Sequence, residues 1–318
     1  MKIGFITDPL ESFKIKKDST YAMMREGEGR GHELFVMQQE DIVWKRNRVF
    51  GVMSQITLRK DADPWYSLGS ATETALADLD AIVMRKDPPF DVEYVTSTWL
   101  LSQAQREGAK VFNDPRALRD HSEKLAIAQF PQFTAPTLVS RSAQQVHAFI
   151  DEHGEVVLKP LDGMGGQSIF RVNKSDPNRN VIVETLSREG GQTIMAQRYI
   201  PEIRDGDKRV LVIDGKPVPH CLARIPKAGE SRGNLAAGGT GVARPLSPRD
   251  LEIATTLGPE LARRGLLLVG LDVIGDYLTE VNVTSPTCFQ EITDQTGFNV
   301  AGMFMDALQA ACAVKHSH

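Results

Sequence analysis

Residues 270–287 read Gly-Leu-Asp-Val-Ile-Gly-Asp-Tyr-Leu-Thr-Glu-Val-Asn-Val-Thr-Ser-Pro-Thr and set two carboxylates and a carboxamide along a β-hairpin pattern. Glu280 and Asn282 are two apart in a strand-like run, so both project from one face and can reach one site, while Val281 and Val283 point the other way. Asp272 lies on the preceding strand, and its side depends on the loop. A three-residue loop, Gly275 to Tyr277, sets Asp272 on the face of Glu280, whereas a two-residue loop turns it away. The three-residue loop is the expectation. Two carboxylates and an amide oxygen with no His or Cys nearby suit Mg²⁺, which keeps several waters and shares its shell with substrate phosphates. Asp272, Glu280 and Asn282 are therefore candidate metal ligands, and they call for a nucleotide nearby. The competing reading is a solvated strand edge carrying three polar residues.

A phosphate clamp is written earlier in the chain. Lys159 stands at a strand end, followed by a loop holding Gly163, Gly165 and Gly166. Glycines let backbone N–H groups converge on an oxyanion, and a lysine ammonium adds a mobile point charge. The loop lacks Gly-Lys-Ser/Thr and leads into a strand rather than a helix, so it is neither a Walker A loop nor a dinucleotide fingerprint. A hairpin turn that needs glycine for positive φ is the structural alternative. Downstream, the run from Met195 through Gln197, Tyr199 and Ile200 reads as a strand ending at Pro201 and can offer free backbone groups to an adenine edge; Asp207 follows where a carboxylate can bind ribose hydroxyls. Residues 224–241 contain Arg224, Arg232 and several glycines without periodicity, the marks of a binding loop or lid over 225–241. Those arginines, unless merely solvated on a surface loop, bring positive charge to an anionic substrate or developing oxyanion.

The elements that must position these residues fall into two rhythms. Strand and helix signals alternate first: Lys2–Thr7, a helix from Asp18 to Gly29, Glu33–Met37, an insertion with hairpins over 41–76, Ala81–Met84, a helix capped by Asp91 and ended by Gly108, then Lys110–Phe112. That is an α/β layer with a parallel, Rossmann-like sheet. A boundary is expected near residue 122, giving domains 1–122 and 123–310. Beyond it three hairpins with helices between them predict two α+β lobes built on antiparallel sheets. One late helix is legible to the cap: Ser247, Pro248 in the first turn, Asp250 three residues on, and Gly265 past the end.

At 318 residues, with 41% hydrophobic and 25% charged residues, the chain can bury a large core. A formal net charge of −4 supplies no basic field for nucleic acid or an anionic membrane, so small-molecule chemistry is expected. The three cysteines, Cys221, Cys288 and Cys312, are widely spaced and odd in number, which fits a reducing, cytoplasmic compartment. No metal-ligand spacing appears among the seven histidines, of which His316 and His318 lie in the tail. Asp8 interrupts the opening apolar run too soon for a signal peptide, and no segment approaches a membrane span.

Taken together, Met84 to Asp91 (Met-Arg-Lys-Asp-Pro-Pro-Phe-Asp), Lys159 to Gly166, Asp205 to Arg209, Arg232 to Gly239 and the 270–287 hairpin resemble the ATP-grasp superfamily and, within it, the bacterial glutathione synthetases. The resemblance covers essentially the whole chain. It implies a ligase joining γ-glutamylcysteine to glycine with ATP, through an acyl phosphate. It further implies that Lys124 and Lys159 hold nucleotide phosphates, Asp207 the ribose, and Asp272, Glu280 and Asn282 the Mg²⁺ ions, with Mn²⁺ as a substitute. Arg85, Arg209, Arg224, Arg232, Ser285 and Thr287 would face the peptide substrate or the transferring groups. Related enzymes imply a homotetramer. The rival readings are an ATP-dependent ligase for other amino acids and a regulatory module that binds ATP without turning it over.

Overall fold

The computed structural model describes residues 1–59, 62–162, 166–227, 233 and 238–313. Its first layer begins as predicted. Strands β1 (Lys2–Ile6) and β2 (Glu33–Met37) are parallel and joined by α1 (Ser19–Gly29), whose N-cap Asp18 accepts from the Tyr21 N–H. The insertion supplies β3 (Ile42–Lys45), β4 (Arg48–Leu58), β5 (Tyr66–Leu68) and β6 (Thr72–Ala75), and β4 joins the same sheet antiparallel to β2. Then come β7 (Ala81–Met84), α2 (Val92–Arg106), β8 (Val111–Phe112) and the short α3 (Pro115–Arg119). The sheet runs β3-β4-β2-β1-β7-β8. All four residues of β7 are buried, as a parallel strand covered on both faces requires.

The second sheet is antiparallel, ordered β11-β10-β12-β9 from β9 (Thr137–Ser140), β10 (Glu155–Pro160), β11 (Phe170–Asn173) and β12 (Ile194–Arg198). Helices α4 (Ala143–His153) and α5 (Arg179–Ser187) cover one face, where Val146, Ile150 and Val183 pack with Val156, Leu158, Val172 and Ala196. Strand alternation sends Thr137, Val157, Lys159 and Gln197 to the other face.

The third sheet, β15-β14-β13-β16-β17, holds β13 (Asp207–Ile213), β14 (Lys216–Ile225), β15 (Thr240–Pro245), β16 (Leu268–Ile274) and β17 (Tyr277–Asn282). Helix α6 (Pro248–Arg263) has the expected capping box, with Ser247 and Asp250 bonding each other's backbone N–H, and it buries Ile253, Leu257 and Leu261. Helices α7 (Phe289–Thr296) and α8 (Val300–Ala313) complete the layer and pack against α1. Asn113 stitches the first sheet to the third: its Nδ2 donates to the carbonyls of Leu268 and Val283, both at 2.8 Å, and its Oδ1 accepts from the Leu268 N–H at 2.9 Å. No helix among the described residues is long and apolar enough to cross a membrane.

Candidate functional site

The hairpin that carries the acidic residues differs from expectation in its loop and agrees in its consequence. Ile274 pairs with Tyr277, so the loop is two residues, Gly275-Asp276, not three. Gly275 has φ +55° and occupies the first loop position, the one a II′ turn reserves for glycine. A two-residue loop alone would set Asp272 opposite Thr279. Instead the register shifts between Asp272 and Val273, a β-bulge that leaves Thr279 unpaired and puts Asp272 opposite Glu280. Thr279 is buried, and its hydroxyl donates to the Asp272 carbonyl at 3.2 Å. The bulge restores the shared face that the short loop would have lost.

That face continues across the sheet. Asp207 and Arg209 alternate on β13, Arg224 pairs with Asp207, and Asp272 pairs with Arg209. Arg209 donates from Nε (2.5 Å) and Nη2 (3.0 Å) to the two Asp272 oxygens, and Arg224 Nη2 lies 2.9 Å from Asp272 Oδ2 and 2.6 Å from Asp207 Oδ2. Gly270 makes room for this network, since a Cβ there would stand 2.8 Å from Arg209 Cδ. Burial pushes the Asp272 carboxyl up, but the Arg209 and Arg224 guanidiniums pull harder and hold it well below the ordinary range. For Asp207 burial wins over Arg224, and its carboxyl rises to about 6. Its Oδ1 is buried with no protein partner among the described residues, an acceptor a ligand hydroxyl can satisfy.

Beyond Asp272, Glu280 Oε1 lies 3.4 Å from Lys124 Nζ, and Asn282 Nδ2 donates to Gly270 O at 3.3 Å, which leaves Oδ1 as its second group. Lys159 faces them from β10, 5% exposed; burial drives its ammonium below the usual lysine value, with the Glu280 charge opposing. The two sheets enclose a cavity of about 330 Å³ that all five of these residues line. Gln197, Tyr199, Ile200, Asp207 and Gly166 line it too, so nearly every expected nucleotide residue converges there. The apolar side chains of Val157, Ile169, Ile200, Ile203 and Ile274 complete its lining. The Arg171 guanidinium sits 3.9 Å over the Tyr199 ring, and the Tyr199 N–H donates to Glu155 O at 3.0 Å. Gly163, Gly165 and Arg232 lie outside the described residues.

On the substrate side, Ser285 and Thr287 line the cavity, as do Arg209 and Arg224. Arg85 stands behind them: it is buried, its Nε donates to Thr20 Oγ1 at 3.0 Å, and its Nη2 donates to the Pro286 carbonyl at 2.9 Å. It supports the 285–287 turn from the first domain. Glu123, Asp87 and Arg198 are cavity residues that the sequence reading did not select. Glu123 Oε1 accepts from Val283 N, Thr284 N and Thr284 Oγ1 at 2.9–3.1 Å, pinning the end of β17. Burial pushes its carboxyl up against those bonds. The one signal in the sequence was its place beside Lys124.

The donor chemistry fits a hard cation. Two carboxylates and an amide oxygen are a small set, suited to an ion that takes most of its ligands from water and phosphate. Among the described residues no group of three or more His, Cys, Asp or Glu is placed to hold a metal ion, here or elsewhere, so the candidate set depends on the Asn282 amide. Asp272 already accepts from two guanidiniums, so Glu280 and Asn282 are the less committed donors.

Two facing sheets with a charged cavity between them, attached to a parallel-sheet domain, define the fold of the ATP-grasp ligases. The chain superposes on D-cycloserine synthetase DcsG with a TM-score of 0.66 at 15% identity, over 98% of this chain and all of the other. The ATP-grasp ligase PsnB, complexed with minimal precursor, Mg and ADP, gives 0.63 at 15% identity over 98% of each chain. Sequence narrows the class. Residues 1–119 match the N-terminal domain of prokaryotic glutathione synthetase and residues 123–297 its ATP-grasp domain. The chain is 62% identical over 311 residues to the glutathione synthetase of Ralstonia nicotianae, covering 98% of this chain and 96% of the relative. With that of Pseudomonas aeruginosa it shares 54% over 315 residues, 99% of both. The chain belongs to the prokaryotic glutathione synthetase family, whose members are ATP-dependent ligases.

Proposed function

We propose that the protein joins γ-L-glutamyl-L-cysteine to glycine, converting ATP to ADP and phosphate and releasing glutathione. The observation that carries this reading is the convergence of Lys124, Lys159, Glu280, Asn282 and the Arg209–Asp272–Arg224 network in one cavity, in a chain of this family. A carboxylate does not condense with an amine in water. Phosphorylating the cysteinyl carboxylate gives an acyl phosphate, which the glycine nitrogen attacks, expelling phosphate.

The residues divide the work by position. Lys124 and Lys159 hold the phosphates, the glycines Gly163, Gly165 and Gly166 are assigned to the same phosphates on sequence grounds, and the apolar lining together with Gln197, Tyr199 and Ile200 takes the adenine. Asp207, with its unsatisfied Oδ1, takes a ribose hydroxyl. Asp272, Glu280 and Asn282 would hold Mg²⁺ or Mn²⁺, which when bound screens the charge of the transferring phosphoryl group. Arg209 and Arg224, held by Asp272, are assigned to stabilise the transferring oxygens, and Arg232 is assigned the same role on sequence grounds. Ser285 and Thr287 contact the dipeptide on a turn that Arg85 braces. Ile225 pairs with Thr240, so the 225–241 segment leaves and re-enters the sheet beside the cavity, which supports its role as a lid that excludes water. The same reading places the boundary of the two domains near residue 122 and the enzyme in the cytoplasm as a homotetramer.

Phosphate release with ATP and Mg²⁺, adding γ-glutamylcysteine and glycine separately and then together, tests it. Release that needs both, with matching glutathione by mass, is the expected result. Release with other amino acid pairs only would keep the ligase chemistry and discard the substrate.

A further inference from the structure

Gln197 stands on the cavity face of β12, paired with Thr137 of β9 and Val157 of β10, and is 4% exposed. A glutamine amide can turn either way, presenting a carbonyl acceptor or an NH₂ donor to a ligand. Here the surroundings choose. The backbone carbonyl of Ala135 can only accept, so at 2.8 Å it takes the hydroxyl proton of Thr137. Thr137 Oγ1, having given that proton, offers Gln197 lone pairs alone, and Gln197 Nε2 donates to it at 3.0 Å. One N–H of the Gln197 amide is thereby held by the protein, which fixes which way round the amide sits. That orientation turns Oε1 away from Thr137 as the acceptor available to the cavity, which Val157, Ile169, Ile200 and Ile274 also line. Lys159, two residues beyond Val157 on the same face, has only donors and cannot supply that acceptor.

We propose that the Ala135–Thr137–Gln197 relay makes Gln197 a one-way acceptor that selects a 6-aminopurine nucleotide over a 6-oxopurine, with Thr137 as the positioning residue. The inference rests on the nucleotide reading of the cavity given above and deepens it. An adenine amino group meets Oε1 as a donor meeting an acceptor. A 6-oxo base would set two buried acceptors against each other, and without the Thr137 hydroxyl the amide could rotate to receive it. Discrimination thus depends on a hydroxyl that touches no ligand.

Equilibrium binding of ATP and of ITP, each with Mg²⁺, to the full-length protein and its variants tests this without requiring the peptide reaction. Wild type should prefer ATP by about tenfold or more, and Thr137→Val, which keeps the side-chain shape, should shrink that preference to about threefold or less, while Thr137→Ser retains it. Gln197→Met gives the same comparison without altering β9, and should also level the two nucleotides. Equal weakening of both nucleotides in Thr137→Val would make the hydroxyl merely structural and overturn the proposal, as would a wild type that binds ATP and ITP alike. That last result would leave the ligase reading standing if phosphate release still required γ-glutamylcysteine and glycine. An ATP preference lost in Thr137→Val, in a protein that forms no glutathione, would support the relay and discard the reaction.

Discussion

The two walls of the cavity are built on opposite electrostatic plans. On the β13–β17 sheet the charges satisfy one another: Asp207, Arg209, Arg224 and Asp272 form a buried chain in which each guanidinium has a carboxylate partner. On the β9–β12 sheet the cavity face carries Lys159, buried and with its ammonium disfavoured by desolvation, beside neutral Gln197 and Thr137. One wall is therefore assembled by folding itself, and the other is completed by an anionic ligand. Substitutions on the first should cost stability and activity together; on the second they should separate the two.

The largest effect is expected at Asp272. Removing one partner of a buried ion network leaves uncompensated charge and costs about 3–5 kcal/mol. Asp272→Asn should lower the unfolding free energy measured in urea by that much, with a correspondingly lower midpoint, and abolish glutathione formation. A variant that unfolds with the wild-type midpoint would show that Arg209 and Arg224 need no carboxylate, and the contrast between the walls would collapse. Lys159→Met should do the reverse. Loss of a charge-assisted bond to phosphate weakens ATP binding by about ten- to a hundredfold, while stability holds or rises because a desolvated charge is gone. Calorimetric ATP titration alongside thermal unfolding reads both, and a large drop in melting temperature would place Lys159 in a paired network after all.

Glu280 sits between the two plans, since its partner within reach is Lys124 at 3.4 Å and its side chain is 21% exposed. Glu280→Gln is expected to change stability by about 1 kcal/mol or less while raising the Mg²⁺ concentration needed for half-maximal turnover by about tenfold or more. Near-normal turnover at limiting Mg²⁺ would remove Glu280 from the metal set.

The same contrast explains what the sequence made legible. Periodicity of two put Glu280 and Asn282 on one face, whereas Asp272 was joined to them through a three-residue loop that the chain lacks, Asp207 was read as a ribose contact from its place in the chain, and Arg209 came from the resemblance alone. The helix caps at Asp91 and Ser247 are local chemistry and were readable to the residue, while Asp18, read as the first helical residue, is the cap just before it. What escaped depends on contacts between distant segments. The bulge at Thr279 is a register choice made by the whole sheet, and strand alternation could not announce it. Glu123 reaches the end of β17 about 160 residues further on, and Arg85 is occupied by Thr20 and by Pro286, so neither role is visible in spacing. Thr137 looks like any strand threonine until Gln197 is set opposite it.

The smallest effect concerns a group that belongs to neither wall and serves as the control. His121 follows α3 at the junction of the two domains, 4% exposed, with its Nε2 buried and unpartnered among the described residues. Burial, reinforced by the Arg264 charge, lowers its imidazole to about 4. Above the ordinary histidine value of about 6.5 it is neutral in both folded and unfolded chains and contributes no pH dependence. As pH falls from there toward 4, the unfolded chain takes up the proton and the folded one does not, so stability declines by an amount approaching about 3 kcal/mol. His121→Leu should remove that portion of the acid slope in urea unfolding between pH 6.5 and 4, while leaving ATP affinity at neutral pH within about twofold of wild type. An unchanged slope would mean that the ring reaches water, and a loss of ATP affinity would tie the domain junction to the cavity.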